Sequence, residues 1–191
     1  MPYQKLKKQI LSIAPFTEKE LETICNCFES NSYSQKDLMV TTGVVSNKIH
    51  FIIEGLIRLY YTKDSKEITT YLACNDDFVS SYSSFINQTP SFEAIQCIEA
   101  CETLEITYDK MQHLYQTIPQ FEKIGRVMAE KNYLCMVDRV LKLQMVPAKE
   151  KYQDFLKSSQ PKIVQRTPLI YIASFLGITP ESLSRIRKNI S

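Results

Sequence analysis

The sequence has 191 residues, of which 44% are hydrophobic and 23% charged, with a formal net charge of +2. That length suits one large domain or two small ones, and the apolar content is normal for a globular protein with a real core. The small net charge excludes a polycation, and no stretch approaches the ~18 consecutive apolar residues of a membrane span.

The opening MPYQKLKKQILSIAPF has three lysines but no apolar run of the ~7–15 residues found in signal peptides. A cytoplasmic protein is expected. Six cysteines (Cys25, Cys27, Cys74, Cys97, Cys101, Cys135) include no Cys-x-x-Cys pair and are expected to be reduced and mostly buried.

A short helix is expected over residues 5–13. Thr17, with Glu20 three positions later, then forms a capping box, so a second helix begins at 18 with Leu21, Ile24, Cys25 and Phe28 on its apolar face. From about 33 to 107 the period becomes that of strands. Residues 49–61, IHFIIEGLIRLYY, are β-branched and aromatic, with Glu54-Gly55 as a turn. Lys63-Asp64-Ser65 is a second turn before a strand over 67–73. Residues 93–98 and 102–107 read as a late pair around Glu99-Ala100, and 80–87 as one or two helical turns. Short strands at this spacing predict a small antiparallel barrel or roll. Tyr60, Tyr71, Tyr82, Phe85 and Phe92 are expected to be core rather than pocket lining.

After a short helix over 109–116, Pro119 opens a long one reaching about 144. Ile124, Val127, Met128, Leu134, Val137, Leu141 and Met145 recur close to every 3.5 residues, interrupted at Lys131; a stripe this narrow packs on its own domain or pairs with a second copy, and pairing is favoured because helix-turn-helix readers usually act as dimers. Pro147 breaks it, a supporting helix follows over 148–157, and Gln160-Pro161 ends that. In the tail, Thr167-Pro168 and Thr179-Pro180 each put an N-cap hydroxyl before a proline at the first helical position, with Gly177 between. Leu169, Ile172, Ala173 and Leu176 form one stripe, and Leu183, Ile186 and Ile190 the next. Glu181, Ser184, Arg185 and Lys188 share the opposite, polar face. Two short helices joined by a Gly-containing turn, the second with a basic outer face, make a helix-turn-helix. Residues 161–191 hold five basic side chains (Lys162, Arg166, Arg185, Arg187, Lys188) against one acid, Glu181, a balance of +4. The preceding residues hold 18 bases and 20 acids, a balance of −2. Positive charge therefore gathers where phosphates would lie.

Helix, roll, long helix and helix-turn-helix, with IASFLGITPESLSRIRK, FIIEGLIRLYY and KEITTYLA, resemble the Crp/Fnr family of bacterial transcription regulators, in particular its short Bacteroidetes-type members. The resemblance implies an α+β protein. Residues 1–118 would be a cyclic-nucleotide-binding-like β-roll sensor with N-terminal helices, 119–146 the homodimerisation helix, and 147–191 the helix-turn-helix domain, its wing absent or minimal because the sequence stops at Ser191. It also implies double-stranded DNA and RNA polymerase as partners, with no enzymatic activity and no membrane association. The family's base-reading positions fall on Pro180, Glu181, Ser184 and Arg185. Pro180 stands where relatives often carry a charged reader. Arg185 suits guanine and Glu181 suits cytosine. Arg166, Thr179, Ser182, Arg187 and Lys188 are assigned to phosphates.

Cyclic-AMP-binding members carry a glycine-glutamate pair and later an arginine followed by serine or threonine. The matching segments here contain Asp76, Asp77, Ser91 and Phe92, and no arginine. Between Glu67 and Glu122 the one basic side chain is Lys110. A buried phosphate needs a cation or directed N–H groups, so neither cAMP nor cGMP is expected to bind, and the effector is left unassigned. Cys25 and Cys27 point in different directions on a helix, and His50 and His113 are too few for a histidine-rich site, so no metal or cofactor is expected. The competing reading is a cupin-like roll binding a metal or small molecule, with a helical tail that does not bind DNA. A third is a ligand-free adaptor.

Overall fold

In the computed structural model, which describes residues 2–189, the N-terminal helices are α1 (Pro2–Leu11) and α2 (Glu18–Asn26). The capping box at the start of α2 forms in both directions: Thr17 Oγ1 accepts from the Glu20 amide at 3.3 Å, and Glu20 accepts from the Thr17 amide at 2.7 Å.

Eight strands follow: β1 (Glu29–Tyr33), β2 (Leu38–Val40), β3 (Lys48–Glu54), β4 (Leu56–Lys63), β5 (Lys66–Cys74), β6 (Phe78–Val79), β7 (Ala94–Cys97) and β8 (Cys101–Thr107), with α3 (Tyr82–Asn87) between β6 and β7. They make two antiparallel sheets, in orders β1-β8-β3-β6 and β2-β7-β4-β5. The Asp64-Ser65 turn is a true hairpin: both residues have positive φ (50° and 61°), and Lys63 pairs with Lys66. The other two expected pairs are not hairpins. β3 and β4 lie in different sheets, as do β7 and β8. Gly55 and the 98–100 segment are corners where the chain changes sheet. They meet there, because the Ile98 amide donates to Leu56 O at 2.8 Å and a side chain on Gly55 (φ +141°) would overlap Cys101. In β5 the pairing passes from Leu59–Tyr71 to Tyr60–Thr69, which leaves Thr70 as a bulged residue.

α4 (Tyr108–Thr117) and a 3₁₀ turn (Pro119–Phe121) lead into α5 (Glu122–Met145), followed by α6 (Ala148–Ser158), α7 (Pro161–Arg166), α8 (Leu169–Leu176) and α9 (Pro180–Lys188). One core cluster joins α1 and α2 to the first sheet and the start of α5 through Leu6, Ile10, Phe51, Leu104, Phe121 and Ile124. Another joins the second sheet to the C-terminal helices through Leu56, Leu72, Tyr152, Ile172 and Leu183.

Two tail expectations fail. Thr167 does not cap α8: it closes α7, its amide donating to Ile163 O at 3.2 Å, and its buried hydroxyl finds no partner among the described residues. Leu169 is 42% exposed, so the inner stripe of α8 is Ile172, Ala173 and Leu176. Thr179 does cap α9, accepting from the Ser182 amide, with Pro180 in the first turn. Gly177 (φ +65°) ends α8 in a Schellman motif, Ile178 bonding back to Ala173 O at 3.0 Å and Gly177 to Ser174 O at 3.1 Å. Ile190 and any wing lie outside the described residues.

Candidate nucleic-acid interface and roll cavity

On α9, Leu183 is fully buried and pins the helix to α8, and that orientation turns Glu181, Ser184, Arg185 and Lys188 outward. All four are exposed, as is Arg187. The Arg185 guanidinium reaches back 3.5 Å to Ser182 Oγ, and Thr179 and Ser182 also share a hydroxyl contact of 3.2 Å. The backbone bonds at the N-terminus of α9, with the Thr179 hydroxyl, hold the Glu181 carboxyl below its usual range. Arg166 stands apart from this group. Its Nε lies 2.5 Å from Glu99 of the roll, and Lys162 sits 3.5 Å from the same carboxylate.

The helix-turn-helix is fastened to the outer edge of β5. Ser174 Oγ accepts from the Thr69 amide at 2.9 Å and donates to Glu67 O at 3.3 Å. Arg139 of α5 donates to Thr69 O at 3.0 Å and to Phe175 O at 2.7 Å. Arg58, buried in the roll, lies 3.8 Å from the centre of the Tyr171 ring and hydrogen-bonds Gln96 and Glu67. These residues carried no sequence signal, because each acts on a backbone group or ring that only the fold brings near.

Between the roll and α5 lies a cavity of about 290 Å³. Thr70 and Tyr71 both face it, as the bulge permits, with Tyr82 and Phe92 from the α3 region and Met128 and Met136 from α5. Tyr60 and Phe85 are core, whereas Tyr71, Tyr82 and Phe92, also expected as core, line the cavity. Of the four segment-matched residues, Asp76 and Phe92 stand at its wall. Ser91 is buried and bonded to Ser81 at 2.8 Å and Glu93 O at 2.7 Å, and Asp77 pairs with Lys131 at 3.6 Å. Among the described residues, the one basic side chain lining the cavity is Lys131, from α5, outside the stretch where the sequence pointed to Lys110. Lys110 instead pairs with Glu29 at the start of β1. Glu93 accepts from Thr70 Oγ1 at 2.9 Å, and burial raises its carboxyl. No hydrogen bond ties down the Tyr71 or Tyr82 hydroxyl among the described residues, and burial pushes both phenols up.

Ile124 and Met128 of α5 are buried under the roll. Beyond them Leu134, Val137, Leu141 and Met145 are 63%, 39%, 50% and 75% exposed, a bare apolar strip along the helix. Elsewhere, Glu105 is 3% exposed between strands and accepts from Tyr33 at 2.6 Å, Lys48 at 2.8 Å and His50 Nδ1 at 3.0 Å. Among the described residues no group of three or more His, Cys, Asp or Glu side chains is placed to hold a metal, and no helix is long and apolar enough to cross a membrane.

Residues 30–118 match the family described as "Cyclic nucleotide-binding domain". No curated protein matches the sequence. Among solved structures, the regulator CLP of Xanthomonas campestris superposes with a TM-score of 0.72 at 18% identity, covering 91% of each chain. A mutant of CooA from Carboxydothermus hydrogenoformans gives 0.72 at 17%, covering 95% of this chain and 82% of that one. FixK2 of Bradyrhizobium japonicum gives 0.73 at 14%, covering 85% and 84%. A roll matched over residues 30–118, followed by the long helix and helix-turn-helix that extend the likeness across nine-tenths of the Xanthomonas regulator, gives this chain the architecture of a Crp/Fnr-like regulator.

Proposed function

We propose that the protein is a sequence-specific, DNA-binding transcription regulator that acts as a homodimer on a palindromic site. The observation that carries this is the outer face of α9, where Glu181, Ser184 and Arg185 stand exposed at helical spacing on a helix anchored by buried Leu183. Arg185 reads guanine through its two-pronged guanidinium and Glu181 accepts from cytosine N4, while Lys188, Arg187, Ser182 and Thr179 approach phosphates. Arg166, held by Glu99, reaches a phosphate only by leaving that partner. The bare strip on α5 is the dimer seam, and it sets two recognition helices about 34 Å apart, one helical turn of DNA. Transcription control by such a dimer implies contact with RNA polymerase in the cytoplasm.

The roll is the sensor, and cAMP and cGMP are not its ligands. The cavity offers a phosphate one ammonium, Lys131, already facing Asp77, and sets Asp76 and Glu93 against it. Calorimetry should detect no cAMP binding at micromolar concentration.

The direct test is a gel shift with genomic fragments. Arg185→Ala should lose sequence preference, about 1–3 kcal/mol per base contact, while weak non-specific binding remains. Unchanged site selection in that variant would remove α9 as the reading helix.

A further inference from the structure

The cavity between the roll and α5 combines three features. Much of its wall is apolar and soft, with Met128, Met136, Phe78 and Phe92 around the space, while Asp76 and Lys131, the latter facing Asp77, also line it. Two phenols, Tyr71 and Tyr82, line it, and neither hydroxyl has a hydrogen-bond partner among the described residues. Its inner carboxylate, Glu93, is oriented by the Thr70 hydroxyl at 2.9 Å but has no ion-pair partner within salt-bridge distance among the described residues. Arg139, whose charge acts on Glu93, gives its donors to Thr69 O and Phe175 O. A desolvated carboxylate without a bound cation is costly, and a ligand that supplies one relieves that cost. Aromatic faces and thioethers favour a flat ring, and ring faces also attract an ammonium. At about 290 Å³ the space is at the lower edge of the ~300–1,000 Å³ usual for small-molecule sites.

We propose that this cavity binds a small aromatic amine, its ammonium on Glu93 and its ring between the methionines and Phe92. The proposal rests on the reading of the roll as a sensor and names the class of molecule sensed. It runs opposite in charge to a nucleotide. The Tyr71 and Tyr82 hydroxyls supply polar contacts to the ring's substituents. Thr70 and Tyr71 sit on the strand whose Glu67 and Thr69 backbone groups hold Ser174 of α8. An occupant therefore presses on the same strand that fastens the DNA-reading unit, and bound amine should change DNA affinity.

The test is calorimetric titration of the full-length protein with tryptamine, uncharged 3-ethylindole and anionic indole-3-acetate. Tryptamine should bind at least ten-fold more tightly than 3-ethylindole, and indole-3-acetate should give no heat. Glu93→Gln should abolish the preference for tryptamine over 3-ethylindole without lowering the thermal unfolding temperature. Indole-3-acetate binding as tightly as tryptamine overturns the proposal, as does the absence of heat from all three at millimolar concentration. The wild-type ranking decides even if the variant does not fold. A gel shift on the same preparation separates the two levels. DNA binding without amine binding retires the cavity assignment alone, and amine binding by a protein that shifts no DNA retires the regulatory reading alone.

Discussion

Thr167 and Thr179 stand in the same dipeptide, Thr-Pro, yet only Thr179 caps the N-terminus of a helix. The difference lies upstream. Pro161 looks like the end of the preceding helix, but it opens α7, and Thr167 is used to close it. The two threonines should therefore respond oppositely to mutation. Thr179→Ala should lower unfolding stability by about 1 kcal/mol through loss of the cap. Thr167→Val, which removes a buried hydroxyl without a partner, should leave stability unchanged or raise it by about 1 kcal/mol. Urea titration of both variants measures this, and a larger loss from Thr167→Val would contradict it. Glu105 gives a pH prediction. Burial alone would raise its carboxyl, but hydrogen bonds from His50, Lys48 and Tyr33 outweigh that and hold it well below the usual carboxylate range. A carboxyl depressed in the folded state stabilises fully above its unfolded value, near 4.3, and loses that contribution progressively as pH falls from there through the lower folded value. The urea midpoint should decline from about pH 5 downward, and Glu105→Gln should be weaker at neutral pH with a flatter acid limb. None of this cluster was legible in the sequence, since Tyr33, His50 and Glu105 come from three strands.

Elements announced themselves in proportion to their burial. β4 is buried at its first five positions and β5 at its last three, and both read plainly as strands. β1 is Glu-Ser-Asn-Ser-Tyr, exposed at four of five positions on the edge of its sheet, and it carries neither alternation nor β-branching to reveal it. The period of α5 was legible, but its division was not. Ile124 and Met128 seal the roll, Lys131 turns to Asp77 where an apolar residue was due, and the later strip is left bare. That division predicts a separable effect. Leu141→Glu should give a monomer by sedimentation while far-ultraviolet circular dichroism is retained, and tight binding to a palindromic fragment should be lost. A dimer that survives the substitution would place the seam elsewhere.

At the scale of the molecule, Arg139 holds long helix, roll and helix-turn-helix at one point through two carbonyls. Arg139→Ala should speed hydrogen exchange across α8 and at Thr69 while protection of β3 and β8 stays as it was. Equal exchange in both proteins would show that Ser174 and the Tyr171–Arg58 stack suffice alone. The bulge at Thr70 has a last consequence, for how such a chain can change in length. Side chains alternate along a regular strand, and shifting register by one sends each to the other face. Here an extra residue lets neighbours share the cavity while the strand's outer edge still meets α8. Single-residue insertions or deletions within β5 would set the ligand wall and the α8 contact out of step. The Asp64-Ser65 tip, beyond both, can lengthen freely. Lineages of this protein should therefore vary in size at the tip and keep β5 at constant length, altering what they sense by substitution alone.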